Sequence, residues 1–188
     1  MSFKLRDISI EISFWFVAII ALMLTLFPEA QAFYCFVFCI IHECGHLFTM
    51  LLLGKKVTSI KFGYFGIKIF TDKKFLPEMK EAAIAAGGPA MNLFAAAFLF
   101  ITGQENFAII NLVLAFFNLL PVSILDGGHI LSALFPESKT VKTLSIVCAV
   151  FLLVSGIIIA IYSKKNFTLL IVSLYLLTGI ISQKNNAA

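Results

Sequence analysis

The chain alternates long apolar runs with short lysine-containing connections, and this alternation limits its fold more than any other feature. A helix needs about 20 consecutive apolar residues to cross the hydrocarbon core of a bilayer. The 188 residues are 61% hydrophobic and 13% charged, whereas soluble domains are about half apolar and a quarter charged. The composition therefore predicts a polytopic membrane protein. The net charge of +4 does not indicate nucleic acid as a partner, because the basic residues lie in the connections.

Six apolar runs are candidate membrane spans, covering roughly residues 10–27, 32–53, 81–101, 107–135, 141–162 and 167–181. Between the second and third, residues 57–70 are rich in β-branched and aromatic residues, which predicts a short β-hairpin at the membrane surface. The fourth run is interrupted at Pro121 and at Gly127–Gly128. We therefore expect an all-α polytopic membrane protein with six transmembrane helices, a β-hairpin between the second and third, and an interrupted fourth helix.

The distribution of basic residues predicts the orientation of these spans. With a cytoplasmic N-terminus, twelve of the 14 lysines and arginines fall on the inner side, and only Lys164 and Lys165 fall outside. Such an excess on the inner side is the usual determinant of membrane topology. We expect a multi-pass protein with both termini in the cytoplasm, and a single membrane-embedded domain over residues 1–188.

A His-Glu-Cys-Gly-His segment lies inside the second apolar run. On a helix, positions i and i+4 share one face, so His42 and His46 can bind one metal ion together. Glu43 lies beside them, where a carboxylate can act as a general base on a metal-bound water. Ionisable residues inside a membrane span are costly, and are usually functional and partnered. The segment predicts zinc-dependent hydrolysis inside a membrane.

A catalytic zinc site needs a third protein ligand. Asp126 is the best candidate, because it stands at the break in the fourth run, and an irregular backbone at membrane depth lines a cavity or is buried in protein. His129, the only other histidine, is the alternative third ligand. A closed site that includes Cys35 and Cys39 is a further alternative, because both share the helical stripe of the two histidines.

Two asparagines are candidate contacts for a substrate. Asn118 precedes the break and is a candidate catalytic residue, as a hydrogen-bond donor to an oxyanion or as a substrate clamp. Asn92 follows a small-residue segment, residues 87–90, that permits close helix approach, and we expect it to bind substrate. The structural alternatives are an amide that satisfies freed backbone groups at Asn118 and helix packing at Asn92.

Three motifs in order resemble those of the site-2 protease family of intramembrane zinc metalloproteases. They are His42-Glu43-Cys44-Gly45-His46, Gly88-Pro89-Ala90-Met91-Asn92, and Asn118-Leu119-Leu120-Pro121 with Leu125-Asp126-Gly127-Gly128. Within that family, the chain is most similar to the stage IV sporulation protein FB group, which lacks an inserted PDZ domain. The resemblance covers about residues 8–135, and the last two runs match only in hydropathy.

The resemblance implies that His42, His46 and Asp126 bind zinc, that Glu43 is the base, and that Asn118 contacts the substrate or the oxyanion. It implies regulated intramembrane proteolysis in a bacterial membrane, with a membrane-associated regulatory protein as substrate. The sporulation relatives activate a sigma-factor precursor and usually carry a C-terminal nucleotide-sensing domain, which we expect this chain to lack. The lipid bilayer and a membrane regulatory protein are the further expected partners, and the oligomeric state is left open.

Two other functions are compatible with part of the pattern. A divalent-metal transporter could use the same ligands as a transit site, but its polar residues would extend along several spans. An inactive homologue could serve only as a membrane scaffold. Here the polar residues converge on one depth, which favours catalysis over transport. Glu43 argues against the scaffold, because a metal-binding scaffold has no need of a base.

Overall fold

The computed structural model describes residues 2–5, 8–26, 30–63, 66–72, 76–164 and 166–186. The strands are β1 (Ser2–Leu5), β2 (Ile8–Ile12), β3 (Val57–Gly63) and β4 (Gly66–Thr71). The helices are α1 (Phe14–Leu26), α2 (Ala30–Leu52), α3 (Glu78–Ile101), α4 (Glu105–Asn118), α5 (Asp126–Leu134), α6 (Lys139–Ser163) and α7 (Thr168–Asn186). The described chain is thus mostly helical, with one small sheet.

Three helices are long and apolar enough to cross a membrane, namely α2 over Phe33–Leu52, α3 and α6. The apolar parts of α4 and α7 are shorter, and α1 has 13 residues. Six transmembrane helices therefore stay a prediction. The fourth run forms two helices, α4 and α5, separated by the irregular residues 119–125, which we call the break segment.

The first predicted span was wrong at its beginning. Ile8, Ile10 and Ile12 alternate with polar residues, and this period of two forms strand β2 instead of helix. β2 pairs with β1 antiparallel and with β3 parallel, and β3 pairs with β4 antiparallel. The predicted two-stranded hairpin was consequently too small, because β3 and β4 belong to a four-stranded sheet of order β1-β2-β3-β4.

The sheet is amphipathic. Directly paired residues share a face, and the registers place the apolar residues on one side and mainly polar residues on the other. The apolar face contains Phe3, Ile8, Ile10, Ile12, Ile60, Phe62, Ile67 and Ile69. On the other face, Glu11 pairs with Lys61 at 2.9 Å between Oε2 and Nζ. Glu11 is therefore part of the sheet and not of a membrane helix.

The chain divides into two compact units, residues 1–115 and 116–188. The single domain expected from the sequence stays a prediction. In the first unit, α2 and α3 cross closely at Gly45 and Gly87. A Cβ on Gly45 would lie 2.7 Å from the Cβ of Met91, and one on Gly87 would lie 2.7 Å from the Gly45 carbonyl oxygen. Only glycine allows this approach, which brings the His-Glu segment of α2 against α3.

In the second unit, α6 and α7 approach each other at Gly156. A Cβ there would lie 2.8 Å from the backbone nitrogen of Leu170. The buried residues of α6 are small: Ser145, Ala149, Gly156 and Ala160. Small side chains at a helix interface let two backbones pack closely within a membrane. The paired helices α6 and α7 both contact the break segment and support it.

Candidate metal centre

His42 and His46 lie one turn apart on α2 and form the centre of the site. Their exposed fractions are 7% and 9%, and their Nε2 atoms are 3.2 Å apart. Each ring also places its Nδ1 atom against a partner on α3. His42 Nδ1 lies 3.2 Å from Asn92 Oδ1, and His46 Nδ1 lies 2.9 Å from the carbonyl oxygen of Ile84. Each imidazole is therefore oriented by a contact at Nδ1, the ring nitrogen that does not face the other histidine.

These partners determine which ring nitrogen carries the proton. The oxygen of Ile84 can only accept a hydrogen bond, so Nδ1–H of His46 donates to it. The Asn92 oxygen likewise accepts from Nδ1–H of His42. In the neutral rings, each Nε2 then presents a lone pair, and the two lone pairs face each other. Metal-binding histidines usually have this arrangement, in which the second nitrogen donates to an oxygen and fixes the tautomer.

The separation of the two Nε2 atoms fits a zinc ion. Zinc–nitrogen bonds of about 2.0–2.1 Å at a tetrahedral angle put two ligand nitrogens about 3.3–3.4 Å apart. The observed 3.2 Å is close to that value. Two lone pairs at this distance repel each other unless a cation lies between them, so the donor chemistry of the pair also fits a metal.

Gly88 leaves the space that the imidazoles occupy. A Cβ on this residue of α3 would lie 2.6 Å from His42 Nε2 and closer still to His46 Nε2. The next turn of α3 carries Asn92, which has an exposed fraction of 0%. Its Nδ2 group is buried and has no hydrogen-bond partner among the described residues. The site thus contains one amide donor that a further polar group can satisfy.

Asp126 is the first residue of α5 and follows the break segment. The segment folds tightly against the start of this helix, because the backbone nitrogen of Leu125 donates to the carbonyl oxygen of Val122 at 2.8 Å. A Cβ on Gly127 or Gly128 would collide with the backbone of residues 119–120 or 122–123, respectively. The glycines therefore allow the chain to turn immediately beside Asp126.

His42, His46 and Asp126 form a group of candidate metal ligands among the described residues. Two imidazoles and a carboxylate form a donor set of the catalytic zinc type, which leaves a fourth position open. No other group of three such ligands occurs among the residues that the structure describes. The roles of these three residues as ligands stay predictions.

The alternative ligands lie outside this group. His129 is exposed, and neither Cys35 nor Cys39 belongs to the cluster found among the described residues. Glu43 is half-buried on α2, next to His42, and Asn118 is half-buried at the end of α4. The catalytic roles of both stay predictions, as does substrate binding by Asn92.

Sequence reasoning missed the contacts that orient the imidazoles. The carbonyl of Ile84 has no side-chain signature, so no motif could identify it. Asn92 was predicted as a substrate contact, but its bond to His42 depends on the register of α3 against α2. An ion pair between Lys55 and Glu81, which joins the end of α2 to the start of α3, was also missed. Its two residues are 26 positions apart, beyond the reach of helical spacing rules.

Known proteins share both the sequence pattern and the fold. The sequence model of Peptidase family M50 matches residues 105–162. A zinc metalloprotease of Methanocaldococcus jannaschii is 25% identical over 94% of this chain and 58% of its own length. A Synechocystis protein, provisionally named a zinc metalloprotease, is 33% identical over 50% of this chain and 28% of its own length. The chain therefore spans little more than half of the first relative and less of the second.

The solved structure of the site-2 protease from Methanocaldococcus jannaschii superimposes with a TM-score of 0.66 at 24% identity, over 97% of this chain and 94% of that one. At this identity, the likeness establishes a shared fold. It includes α6 and α7, which the sequence motifs do not reach. The chain is thus similar to Peptidase family M50 over residues 105–162, to two relatives named as zinc metalloproteases in sequence, and to a site-2 protease in fold.

Proposed function

We propose that the protein is an intramembrane zinc metalloprotease that hydrolyses a peptide bond in or near the transmembrane region of a membrane-associated regulatory protein. The observation that carries this proposal is the pair of Nε2 atoms, 3.2 Å apart on an apolar helix, with Asp126 in the same ligand group and Glu43 beside the pair. A donor set with an open position suits catalysis better than structural metal binding.

In this proposal, His42, His46 and Asp126 hold the zinc ion. When bound, zinc supplies a Lewis acid that polarises a water molecule and the substrate carbonyl. The Glu43 carboxylate takes a proton from the attacking water and delivers it to the amide nitrogen that leaves. Proton transfer by a positioned carboxylate typically contributes about 10²–10⁴ in rate.

The two asparagines serve the substrate in this proposal. Asn118 donates a hydrogen bond from its side-chain amide to the oxyanion or to the backbone beside the scissile bond. Asn92 keeps its oxygen on His42 and offers Nδ2, which lacks a partner among the described residues. A buried donor of this kind is worth satisfying, since leaving it unpaired costs about 1–3 kcal/mol. This supports a substrate contact by Asn92.

A substrate helix must be unwound before a protease can cut it, and an extended segment can be held by strand addition. β3 is paired on both sides, by β2 and β4. Of the predicted hairpin strands, only β4 therefore has an edge left for a substrate within the described sheet. We propose that the substrate pairs with β4. Proline substitutions along β4 should reduce cleavage, and unchanged cleavage in these variants would contradict this step.

The finer biological setting is also a proposal. The resemblance to the sporulation group supports a regulatory substrate in a bacterial membrane. The excess of basic residues on one side supports six spans with both termini in the cytoplasm. A divalent-metal transporter receives less support, because the described residues contain a single three-ligand group and not a series of sites along a pathway.

The decisive experiment uses purified protein with a panel of membrane-tethered substrates. Glu43→Gln should keep its metal and lose at least about a hundredfold in cleavage rate, because the amide cannot take a proton. Glu105→Gln, at an exposed acid in the first turn of α4, is the matched control and should cleave normally. Normal cleavage by Glu43→Gln, or cleavage by metal-free parent protein, would overturn the proposal.

A further inference from the structure

We propose that Ser145 of α6 and Gln183 of α7 are positioning residues that clamp the break segment and thereby fix Asp126 for metal binding. The proposal rests on the metal site of the proposed function, but it does not require that the protein be a protease. All residues of the clamp lie in the second compact unit, residues 116–188.

Both clamp residues act on Ser123, near the middle of the break segment. The backbone N–H of Ser123 donates to Ser145 Oγ at 2.8 Å, and Ser145 has an exposed fraction of only 2%. The Ser123 hydroxyl donates to Gln183 Oε1 at 3.0 Å. Two helices that follow Asp126 in the chain thus hold one residue that precedes it.

The clamp matters because the break segment has little helical hydrogen bonding of its own. The Ser123 N–H lies in irregular backbone, and its acceptor is a side chain. A donor of this kind that loses its acceptor inside a protein must be satisfied elsewhere or remain unpaired. Removing the Ser145 hydroxyl therefore favours a shift of the segment.

A shift at Ser123 is transmitted to Asp126, three residues later. Val122 is completely buried, and its carbonyl oxygen accepts from the N–H of Leu125. The backbone at Val122 also lies so close to Gly128 that no Cβ fits there. This turn is too tightly packed to absorb a movement of Ser123, so the Asp126 carboxylate at the start of α5 moves with it. Ile124 adds a third anchor, because its Cδ1 lies 2.8 Å from where a Cβ on Gly179 of α7 would be.

The test measures metal binding by the purified full chain in detergent. Zinc affinity is obtained by competition with a chelator, and ligand geometry by the visible absorption of the cobalt-substituted protein. Ser145→Ala should lower zinc affinity roughly fivefold or more and alter the cobalt spectrum. The matched control is Ser173→Ala. This buried hydroxyl of α7 bonds only to the Leu170 carbonyl oxygen of its own helix among the contacts described, and its loss should change neither readout.

A second pair of variants tests the clamp without emptying a buried position. Ser123→Ala and Gln183→Ala each remove the same exposed hydrogen bond. Each should lower zinc affinity about two- to threefold, and the double variant should match the single ones, because residues that act through one bond are not additive. If Ser145→Ala fails to fold, these variants still test whether a hydrogen bond on Ser123 fixes Asp126 for metal binding.

Parental zinc affinity and an unchanged cobalt spectrum in folded Ser145→Ala, or in Gln183→Ala, would overturn the assignment of that residue. A general loss of stability would instead lower the melting temperature of the control and the clamp variants alike without altering the cobalt spectrum, and this result also contradicts a positioning role. Failure of the protease proposal is separable. A parent protein that binds metal but cleaves no substrate contradicts proteolysis and leaves the clamp test intact.

Discussion

Gly88→Ala is the sharpest test of the metal centre, because the change adds one methyl group at a position whose surroundings are known. The new Cβ would lie 2.6 Å from His42 Nε2, whereas ordinary contacts begin at 3.4 Å. The ring must therefore recede by about 0.8 Å, and His46 by more. Metal–ligand distances in functional sites hold within about 0.2 Å. The displacement is about four times that tolerance.

We expect Gly88→Ala to lose at least about a hundredfold in zinc affinity, beyond the 10- to 100-fold typical when only the partner of a ligand is removed. Metal content of the purified protein and chelator competition measure this loss. The fold should survive, because alanine in a helix interior is favoured over glycine by about 1 kcal/mol. Ala90→Leu, at an exposed position of the same helix, controls for added bulk and should retain its metal.

The reasoning would be refuted by Gly88→Ala protein that binds zinc with parental affinity. Such a result would mean that the imidazoles point elsewhere in the working protein, since no rearrangement of about 0.8 Å leaves two bonds to one ion intact. A variant that neither folds nor binds metal is distinguished by its circular dichroism and its melting temperature, measured beside the Ala90→Leu control.

Three further outcomes are expected. Asp126→Ala should lose stoichiometric metal, as measured by elemental analysis, and full occupancy would move the third ligand to another residue. Asn92→Leu should lower zinc affinity roughly 10- to 100-fold, because His42 Nδ1–H loses its acceptor, and chelator competition with unchanged affinity would contradict this. Gly45→Ala should lower the melting temperature of the protein, because its Cβ would lie 2.7 Å from that of Met91; a higher melting temperature would show that α2 and α3 are farther apart.

Much of the site was predictable because its chemistry is local. The i, i+4 spacing of His42 and His46 puts both rings on one helical face. An acidic side chain beside a broken apolar run costs free energy in a membrane, so it is usually there for a function. Residue type and spacing therefore indicated the metal, its two imidazoles and the third ligand. The position of Asp126 at the break favours it over His129 as third ligand, and the group of candidate ligands includes Asp126.

The fold was less predictable where secondary structure depends on distant partners. The Ile-Ser-Ile-Glu-Ile alternation of β2 was hidden inside an apolar run, because hydropathy averaged over a span cannot separate a strand from the start of a helix. Its partner β3 begins 45 residues after β2 ends. Only the parallel pairing of these two strands decides that residues 8–12 are extended.

The sequence by itself predicted a membrane protein, a metal-binding pair of His42 and His46, and a fourth apolar run that is broken beside a carboxylate. Each of these follows from the types of residues and their spacing along one segment. The tertiary structure alone decided the tautomers of the two imidazoles, the space that Gly88 leaves for them, and the clamp on Ser123. Those features depend on how separate helices are placed in register. Contacts between residues that are far apart in the sequence leave no periodic pattern of residue types from which to predict them.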